Sequence, residues 1–121
     1  MLLPNEVVRP PLPTITLDDN SATRYYFAMI QSFKGRAAQQ VFERRRCSSL
    51  SVAVQRAVYR KLLILEAAGA IEDLRQPPGN RLEKLSGNRR GQYSIRINQQ
   101  YRICFVWRGG NAYEVEIADY H

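Results

Sequence analysis

Residue types that often carry chemistry are scarce in this chain. It has two cysteines, Cys47 and Cys104, and a single histidine, His121. The cysteines do not have the spacing of metal ligands, so we interpret both as reduced structural residues, which suits a cytoplasmic protein. No serine or cysteine has an identifiable base beside it, and the sequence shows no metal cluster. We expect no metal or other cofactor.

Long apolar runs and targeting signals are also missing. No apolar run approaches the roughly 20 residues of a membrane helix, so we expect no membrane span. The opening stretch, MLLPNEVVRPPLP, lacks a basic n-region, and prolines interrupt its apolar residues. This pattern argues against a signal peptide. No glycine-rich phosphate loop follows a strand and opens a helix.

Positive charge is what the chain has in excess. It carries 18 Lys/Arg against 11 Asp/Glu, a formal net charge of +7 over 121 residues. Residues 1–28 hold two Lys/Arg against three Asp/Glu, and residues 29–121 hold 16 against 8. A single domain this basic favours a polyanionic partner, which could be nucleic acid, an anionic membrane or an acidic protein. Charge that serves only solubility is the alternative.

The first 28 residues differ from the rest of the chain. Four prolines fall within ten positions of one another, and Thr, Asp, Asn and Ser follow them. Proline removes a backbone donor and favours extended conformations, so we predict that residues 1–28 form a flexible N-terminal extension. We predict that residues 29–121 form the folded domain, and we hypothesise that translation naturally begins at Met29.

The first half of the domain is predicted to be helical. Met29–Phe33 (MIQSF) has the pattern of a short strand, and a short helix follows it. The strongest helical pattern runs from about residue 51 to residue 68. Ser48 or Ser49 is its predicted N-cap, and Gly69 is its predicted stop. The apolar stripe of this helix consists of Val54, Val58, Leu62 and Leu65.

The second half of the domain is predicted to be strands. Residues 80–85 form a short strand, and three further segments alternate apolar and polar residues between Gly91 and His121. In the last segment Tyr113, Val115 and Ile117 take the apolar positions. The order of elements predicts the α+β class, with a small antiparallel sheet packed on two N-terminal helices.

The alternation also places two arginines together. If Ile95 and Ile97 share the buried face with Tyr101, a three-residue loop joins their strands, and Arg96 lies opposite Arg102 on the other face. Like charges directly across a ladder are destabilising, and an anion between them would relieve the repulsion. The arginine fork matches phosphate oxygens. The alternatives are two solvated arginines, or arginines paired with one of the two glutamates of the last strand.

The end of the chain gathers three reactive types of side chain. Asp119, Tyr120 and His121 supply a carboxylate, a phenol and an imidazole. Only an imidazole is expected to titrate near neutrality without perturbation, although a lone histidine at a C-terminus more often has no role. Arg89 and Arg90 lie in the loop before the strand that contains Arg96. They could extend a track that binds a nucleic-acid backbone, or could be ordinary surface residues.

Four sequence motifs, taken together, resemble a known family. They are Leu82-x-x-Leu85-x-Gly87, Gly91-x-Tyr93-Ser94-Ile95-Arg96-Ile97-Asn98, Tyr101-Arg102-Ile103-x-Phe105 and the terminal Asp119-Tyr120-His121. On these motifs the chain resembles the HigB-type toxins of the RelE/ParE superfamily, which belong to type II toxin–antitoxin systems. The resemblance covers about residues 29–121, and residues 1–28 have no counterpart.

The resemblance implies a RelE-like toxin fold and a specific activity. Such toxins are ribosome-dependent endoribonucleases that cut mRNA in the ribosomal A site without a metal. The 2′-hydroxyl attacks the adjacent phosphate, leaving a cyclic phosphate and a free 5′-hydroxyl. The implied partners are the mRNA on the ribosome and a HigA-like helix-turn-helix antitoxin, with no membrane involved.

The resemblance also assigns roles to residues. Arg102 would stabilise the charge that develops on the phosphate. His121 would be the leading general acid or base, with Asp119 and Tyr120 orienting or assisting it. Arg96 falls where relatives carry a second functional basic residue. The predicted RNA-binding residues are Arg96, Arg89, Arg90 and Lys84.

One position departs from the family pattern. Some relatives carry a catalytic histidine in the Leu-x-x-Leu-x-Gly segment, where this chain has Glu83. Either Glu83 acts as the base in its place, or the catalytic set is thinner and the toxin weaker. Two other hypotheses stay open: a ParE-like toxin that inhibits DNA gyrase and cleaves nothing, and an inactive relative that only binds nucleic acid. The Asp-Tyr-His end argues against the ParE-like toxin.

Overall fold

The computed structural model describes residues 29–120 and, before them, the backbone of two strands. These strands, β1 (Pro13–Leu17) and β2 (Thr23–Phe27), pair antiparallel as a two-stranded sheet. These strands belong to the predicted flexible extension, residues 1–28, and the other residues of that extension lie outside the described part of the chain.

The domain itself has two helices followed by a four-stranded antiparallel sheet. The strand order is β3-β4-β5-β6, so each strand pairs with the next one in sequence. This meander after two helices confirms the predicted α+β class. The elements are α1 (Ala37–Phe42), α2 (Val52–Ala67), β3 (Glu83–Lys84), β4 (Gln92–Arg96), β5 (Tyr101–Arg108) and β6 (Asn111–Asp119).

The core lies between α2 and one face of the sheet. Val58, Leu62 and Leu65 of α2 are fully buried, at the spacing that the helical stripe predicts. They belong to the same cluster as Ile95, Ile103 and Phe105 from β4 and β5. Burying such a side chain contributes roughly 1.5–3 kcal/mol each, so this layer holds the sheet in place.

The helix α2 begins at a different serine from the one predicted. Ser51 is the N-cap, and its Oγ accepts a hydrogen bond from the Val54 N–H at 3.2 Å. The prediction of Ser48 or Ser49 is wrong because a turn precedes the helix. In that turn Ser49 Oγ lies 3.2 Å from Cys47 Sγ. Gly69 follows the last capping residue, as predicted, and its N–H donates to Asp73 at 2.9 Å.

Two predicted strands are shorter in the structure. Met29–Phe33 makes only two isolated parallel bridges to β6, partly because the Met29 and Ile30 N–H groups donate to the Glu66 carboxylate. The strand predicted over residues 80–85 is reduced to Glu83–Lys84. A 3₁₀ turn ends at Asn80, and the next residue has a left-handed backbone that interrupts extended structure.

A β-bulge changes the alternation in β6. The register shifts opposite Phe105, and Glu114 takes a positive φ of 52°. The bulge adds one residue to β6, so the alternation between core-facing and outward side chains is reversed for the residues that precede it. The prediction that Tyr113 shares the buried face with Val115 is therefore wrong, and Ala112 is buried instead. Tyr113 stacks under the Arg108 guanidinium at 4.5 Å.

Candidate active site

The predicted pairing of the two arginines is confirmed. Arg96 in β4 lies directly opposite Arg102 in β5. The loop between the strands is closed by Asn98, whose side-chain oxygen accepts from the N–H groups of Gln100 at 2.8 Å and Tyr101 at 2.7 Å. This loop fixes the register, and the register places both guanidinium groups on the sheet face away from α2.

Arg102 is buried and held by several acceptors. It is only 8% exposed, so it is not the solvated arginine of the alternative prediction. Its Nε donates to Ser94 Oγ at 2.7 Å, and its Nη2 donates to the Arg81 carbonyl at 2.6 Å. A longer contact of 3.4 Å joins Nη2 to the Ser94 carbonyl. The guanidinium therefore has one orientation, set by β4 and by the turn before β3.

The remaining nitrogen of Arg102 is the one available for a ligand. Within residues 29–120, Nη1 makes no hydrogen bond and forms only a 4.0 Å ion pair with Glu83 Oε1. Arg102 borders an open cavity of about 310 Å³. The cavity is lined by Arg81, Glu83, Arg96, Asn98, Gln99, Arg102 and Tyr120.

Arg96 reaches the same cavity by a different route. Its Nε donates to the Asn98 carbonyl at 3.1 Å, so the hairpin loop directs its side chain. The cavity is therefore lined by three arginines, Arg81, Arg96 and Arg102, and by one carboxylate, that of Glu83. Since charge-assisted bonds from arginine suit phosphate oxygens, this excess of positive charge can bind an anionic phosphate.

Tyr120 closes one side of the cavity. Its N–H donates to the Gln100 carbonyl at 2.6 Å, and its hydroxyl lies 3.7 Å from Cys104 Sγ. Partial burial raises the pKa of Tyr120, and the contact with Cys104 raises it further. The phenol is therefore protonated at neutral pH and can donate a proton or a hydrogen bond. It cannot serve as a resting phenolate base.

The other two terminal residues are placed differently. Asp119 lies opposite Tyr101 in the ladder and accepts a 3.2 Å hydrogen bond from the Gln100 side chain. It does not line the cavity. Its carboxylate instead helps to hold the strand end against the hairpin loop. His121, the leading acid–base candidate, lies outside the described residues.

The predicted residues of β3 separate on the two faces of that strand. Glu83 pairs with Ser94 in the ladder and lines the cavity. Lys84 pairs with Tyr93, is exposed and lies outside the cavity lining. The structure therefore brings Glu83 to Arg102 and leaves Lys84 at the periphery.

The two loop arginines have different surroundings. Arg89 forms an ion pair with Glu116 at 2.5 Å and a hydrogen bond to Gln92 at 3.2 Å. The bond to Glu116 raises the pKa of Arg89. Arg90 is exposed. Arg89 thus takes the partner that the alternative prediction gave to Arg96 or Arg102, whereas Arg90 remains open to solvent.

Three residues that support the site were missed by the sequence prediction. Ser94 shares the face of Arg96 and Arg102 by alternation, and this signal could have identified it. Arg81 contributes a carbonyl through a left-handed backbone (φ 44°), which no pattern in the sequence indicates. Asn80 is fully buried, and its side-chain amide donates to the Leu74 and Gln76 carbonyls.

The described residues contain neither a metal cluster nor a membrane span. No group of three His, Cys, Asp or Glu side chains among them is arranged to hold a metal ion. No helix in this part of the chain is long and apolar enough to cross a membrane.

A solved structure shows which class of fold this is. The chain superposes on a chain of the YoeB–YefM complex from Staphylococcus aureus with a TM-score of 0.51 and 16% sequence identity. The match covers 76% of this chain and 97% of the other. At this identity the likeness shows the fold alone, which is that of the RelE-like toxins.

Sequence comparison then gives the family. Residues 31–121 match the HigB-like toxin family, the RelE-like toxin of type II toxin–antitoxin system HigB. The chain is 46% identical over 85 residues to Toxin HigB-1 of Vibrio cholerae, covering 69% of this chain and 90% of that one. It is 30% identical over 93 residues to Endoribonuclease HigB of Proteus vulgaris, covering 77% of this chain and all of that one. The protein belongs to the HigB-like toxin family.

Proposed function

We propose that this toxin is an endoribonuclease that cuts mRNA on the ribosome. The observation that carries the proposal is the buried Arg102 guanidinium, which is oriented by Ser94 and Arg81 and belongs to a side chain that lines an open cavity. A 30% identical relative named Endoribonuclease HigB supports the same reaction class. A preorganised cation is the group that phosphoryl chemistry requires, because negative charge develops on the phosphate in the transition state.

The proposed reaction transfers the phosphoryl group within the RNA. The 2′-oxygen loses its proton and bonds to the adjacent phosphorus, and the bond to the 5′-oxygen breaks. The products are a 2′,3′-cyclic phosphate and a 5′-hydroxyl, which receives a proton. The step therefore needs one base, one acid and one stabiliser of charge. Arg102 serves as the stabiliser, and Arg96 helps to hold the phosphate.

The acid–base roles fall to the groups around the cavity and at the chain end. His121 is the proposed leading acid or base, because an imidazole titrates near neutrality. Glu83 is the second candidate for the base, since its carboxylate lines the cavity beside Arg102. The protonated Tyr120 suits donation toward the leaving oxygen. Asp119 positions the strand end through Gln100.

The proposed partner is a HigA-like helix-turn-helix antitoxin. Membership of a type II toxin family supports an antitoxin of some kind, and the fold relative comes from a complex named YoeB–YefM. We expect the antitoxin gene to lie beside the toxin gene. Co-expression of its product should restore growth.

Mapping of RNA ends tests the proposal directly. Primer extension on total mRNA after toxin induction should reveal new 5′ ends within translated codons, and Arg102→Ala should remove them. New ends must also disappear when translation initiation is blocked, if cutting depends on the ribosome. Toxicity without new ends, accompanied by loss of gyrase activity, would favour the ParE-like alternative and refute the proposal.

A chelation experiment tests the metal-independent chemistry. Cleavage of an isolated ribosome–mRNA complex needs magnesium for the ribosome, so the enzyme should be pre-treated with EDTA and desalted before it is added. We expect the single-turnover rate to be unchanged. A rate that falls and recovers after transition-metal addition would contradict the proposed acid–base mechanism.

A further inference from the structure

Positive charge is concentrated in one helical region of the molecule. Residues 34–61, from just before α1 to the middle of α2, hold eight Lys/Arg and one acidic residue, Glu43. The rest of the chain holds 10 Lys/Arg against 10 Asp/Glu. This region therefore carries a net charge of +7 by itself, as large as that of the whole chain.

This region contains a cavity larger than the one at Arg102. A groove of about 570 Å³ lies between the end of α1 and the first half of α2. It shares no lining residue with the cavity at Arg102. The arginines that border the groove are Arg44, Arg45, Arg46, Arg56 and Arg60.

Most of these arginines have no acidic partner. Arg45 pairs with Glu43 at 3.0 Å, and Arg44 stacks over the Tyr59 ring at 4.9 Å. For Arg46, Arg56 and Arg60, the structure of residues 29–120 gives no hydrogen bond or ion pair. All three are exposed. Unpaired like charges on one rim raise the local potential and favour an anionic partner.

The floor of the groove is apolar, which narrows the class of partner. Val41 and Tyr59 form part of the floor, and Val52, at its edge, is 63% exposed. Val52 is the most exposed large hydrophobic residue in the described part of the chain. A nucleic-acid backbone would bind the arginines and leave this apolar surface in water. An amphipathic helix would cover the floor and bring carboxylates to the rim.

We infer that this groove, the α1–α2 groove, docks an acidic amphipathic helix of the antitoxin. The apolar side chains of the antitoxin helix pack on Val52 and Tyr59, and its carboxylates pair with Arg56, Arg60 and their neighbours. That the protein partner is an antitoxin rests on the proposed function. The acidic and amphipathic character follows from the groove itself.

Charge reversal on the rim tests the inference. The double variant Arg56→Glu/Arg60→Glu should bind the antitoxin encoded beside the toxin gene about 10-fold to 100-fold more weakly in calorimetric titration. The matched control is Arg75→Glu/Arg108→Glu, which makes the same charge change at exposed positions outside the groove. We expect its affinity to stay within about threefold of wild type. Thermal unfolding confirms that both variants fold.

A second pair of variants separates a protein partner from RNA. Val52→Ser removes apolar contact at the groove, and Leu63→Ser removes an exposed side chain of the same helix outside it. Only Val52→Ser should weaken antitoxin binding, by about 3-fold to 10-fold. Binding of a 20-nucleotide single-stranded RNA, measured in parallel, should be the same for both variants.

The outcomes distinguish this inference from the proposed function. If the wild-type toxin does not bind the product of the neighbouring gene, the proposed antitoxin is wrong. If it binds and Arg56→Glu/Arg60→Glu binds equally well, the docking inference is overturned. A rim variant that loses RNA or ribosome binding but keeps the antitoxin would identify the groove as an RNA surface and would also overturn it.

Discussion

The two faces of the four-stranded sheet differ in how they are built. On the face toward α2, Ile95, Ile103 and Phe105 pack with helix side chains into a fully buried apolar layer. On the opposite face Ser94 and Arg102 are also buried, and hydrogen bonds hold them in place. The first face stabilises the fold by apolar packing. On the second face, hydrogen bonds fix the orientation of the Arg102 guanidinium. Changes on the two faces should therefore have separable effects.

The largest effect on stability is expected from the apolar face. Leu62→Ala deletes a fully buried side chain and leaves a cavity, so it should lower the free energy of unfolding by about 2–5 kcal/mol. Leu63→Ala, at the neighbouring 44% exposed residue, is the control and should cost under about 1 kcal/mol. Urea denaturation measures both. If the folded fraction of Leu62→Ala lost cleavage activity, the separation of the two faces would be wrong.

Asn80 bonds to Lys61 of α2 and directly precedes Arg81, whose carbonyl holds Arg102, so its removal should affect both stability and cleavage. Asn80→Ala breaks the bonds to the Leu74 and Gln76 carbonyls and the 2.5 Å contact with Lys61. Unpaired buried groups should cost about 1–3 kcal/mol of stability. Because the next residue supplies the carbonyl that holds Arg102, cleavage per folded molecule should also fall. Asn88→Ala, in an exposed loop, should change neither quantity.

Ser94→Ala should affect the polar face with a smaller loss of stability. It removes the acceptor of Arg102 Nε, and the expected cost is about 1 kcal/mol. The guanidinium keeps the Arg81 carbonyl, so we expect cleavage to drop roughly 10-fold rather than vanish. Single-turnover rates and thermal unfolding together measure this. Unchanged cleavage would show that Ser94 does not position Arg102.

The smallest effect concerns the alkaline stability of the polar face. Burial raises the pKa of Tyr120, so the protonated phenol is favoured in the folded state. Its contribution is complete below the unfolded value of about 10 and is lost as pH rises through the folded pKa. The difference in Tm between wild type and Tyr120→Phe should be constant below about pH 9 and should change above it. A change already at neutral pH would contradict this account.

The apolar face could be predicted from the sequence, whereas the polar face could be predicted only in part. Alternation in β4 and β5 gave the buried residues and the pairing of Arg96 with Arg102, because period-two patterning and loop length set register. The burial of Arg102 could not be predicted in this way. Its acceptor, the Arg81 carbonyl, comes from a left-handed position 21 residues away in sequence.

Local backbone exceptions account for the other differences. The bulge at Glu114 inserts one residue into β6, and no pattern in the sequence marks it, so Tyr113 was placed on the wrong face. The N-cap of α2 was predicted at the wrong serine because Ser48, Ser49 and Ser51 have similar capping propensity. In the structure Ser49 belongs to a turn with Cys47 instead. The roles proposed for Asp119, Tyr120 and His121 remain predictions from the family resemblance.

The most direct test of the account is the rate of mRNA cleavage by Arg102→Ala relative to its folded fraction. In single-turnover reactions on a programmed ribosome, we predict a fall of about 10²-fold or more, because one preorganised contact to the transition state is lost. Arg108→Ala, on the same strand but exposed, should cleave like wild type. If folded Arg102→Ala cleaved within about threefold of wild type, the polar face would not be the active site.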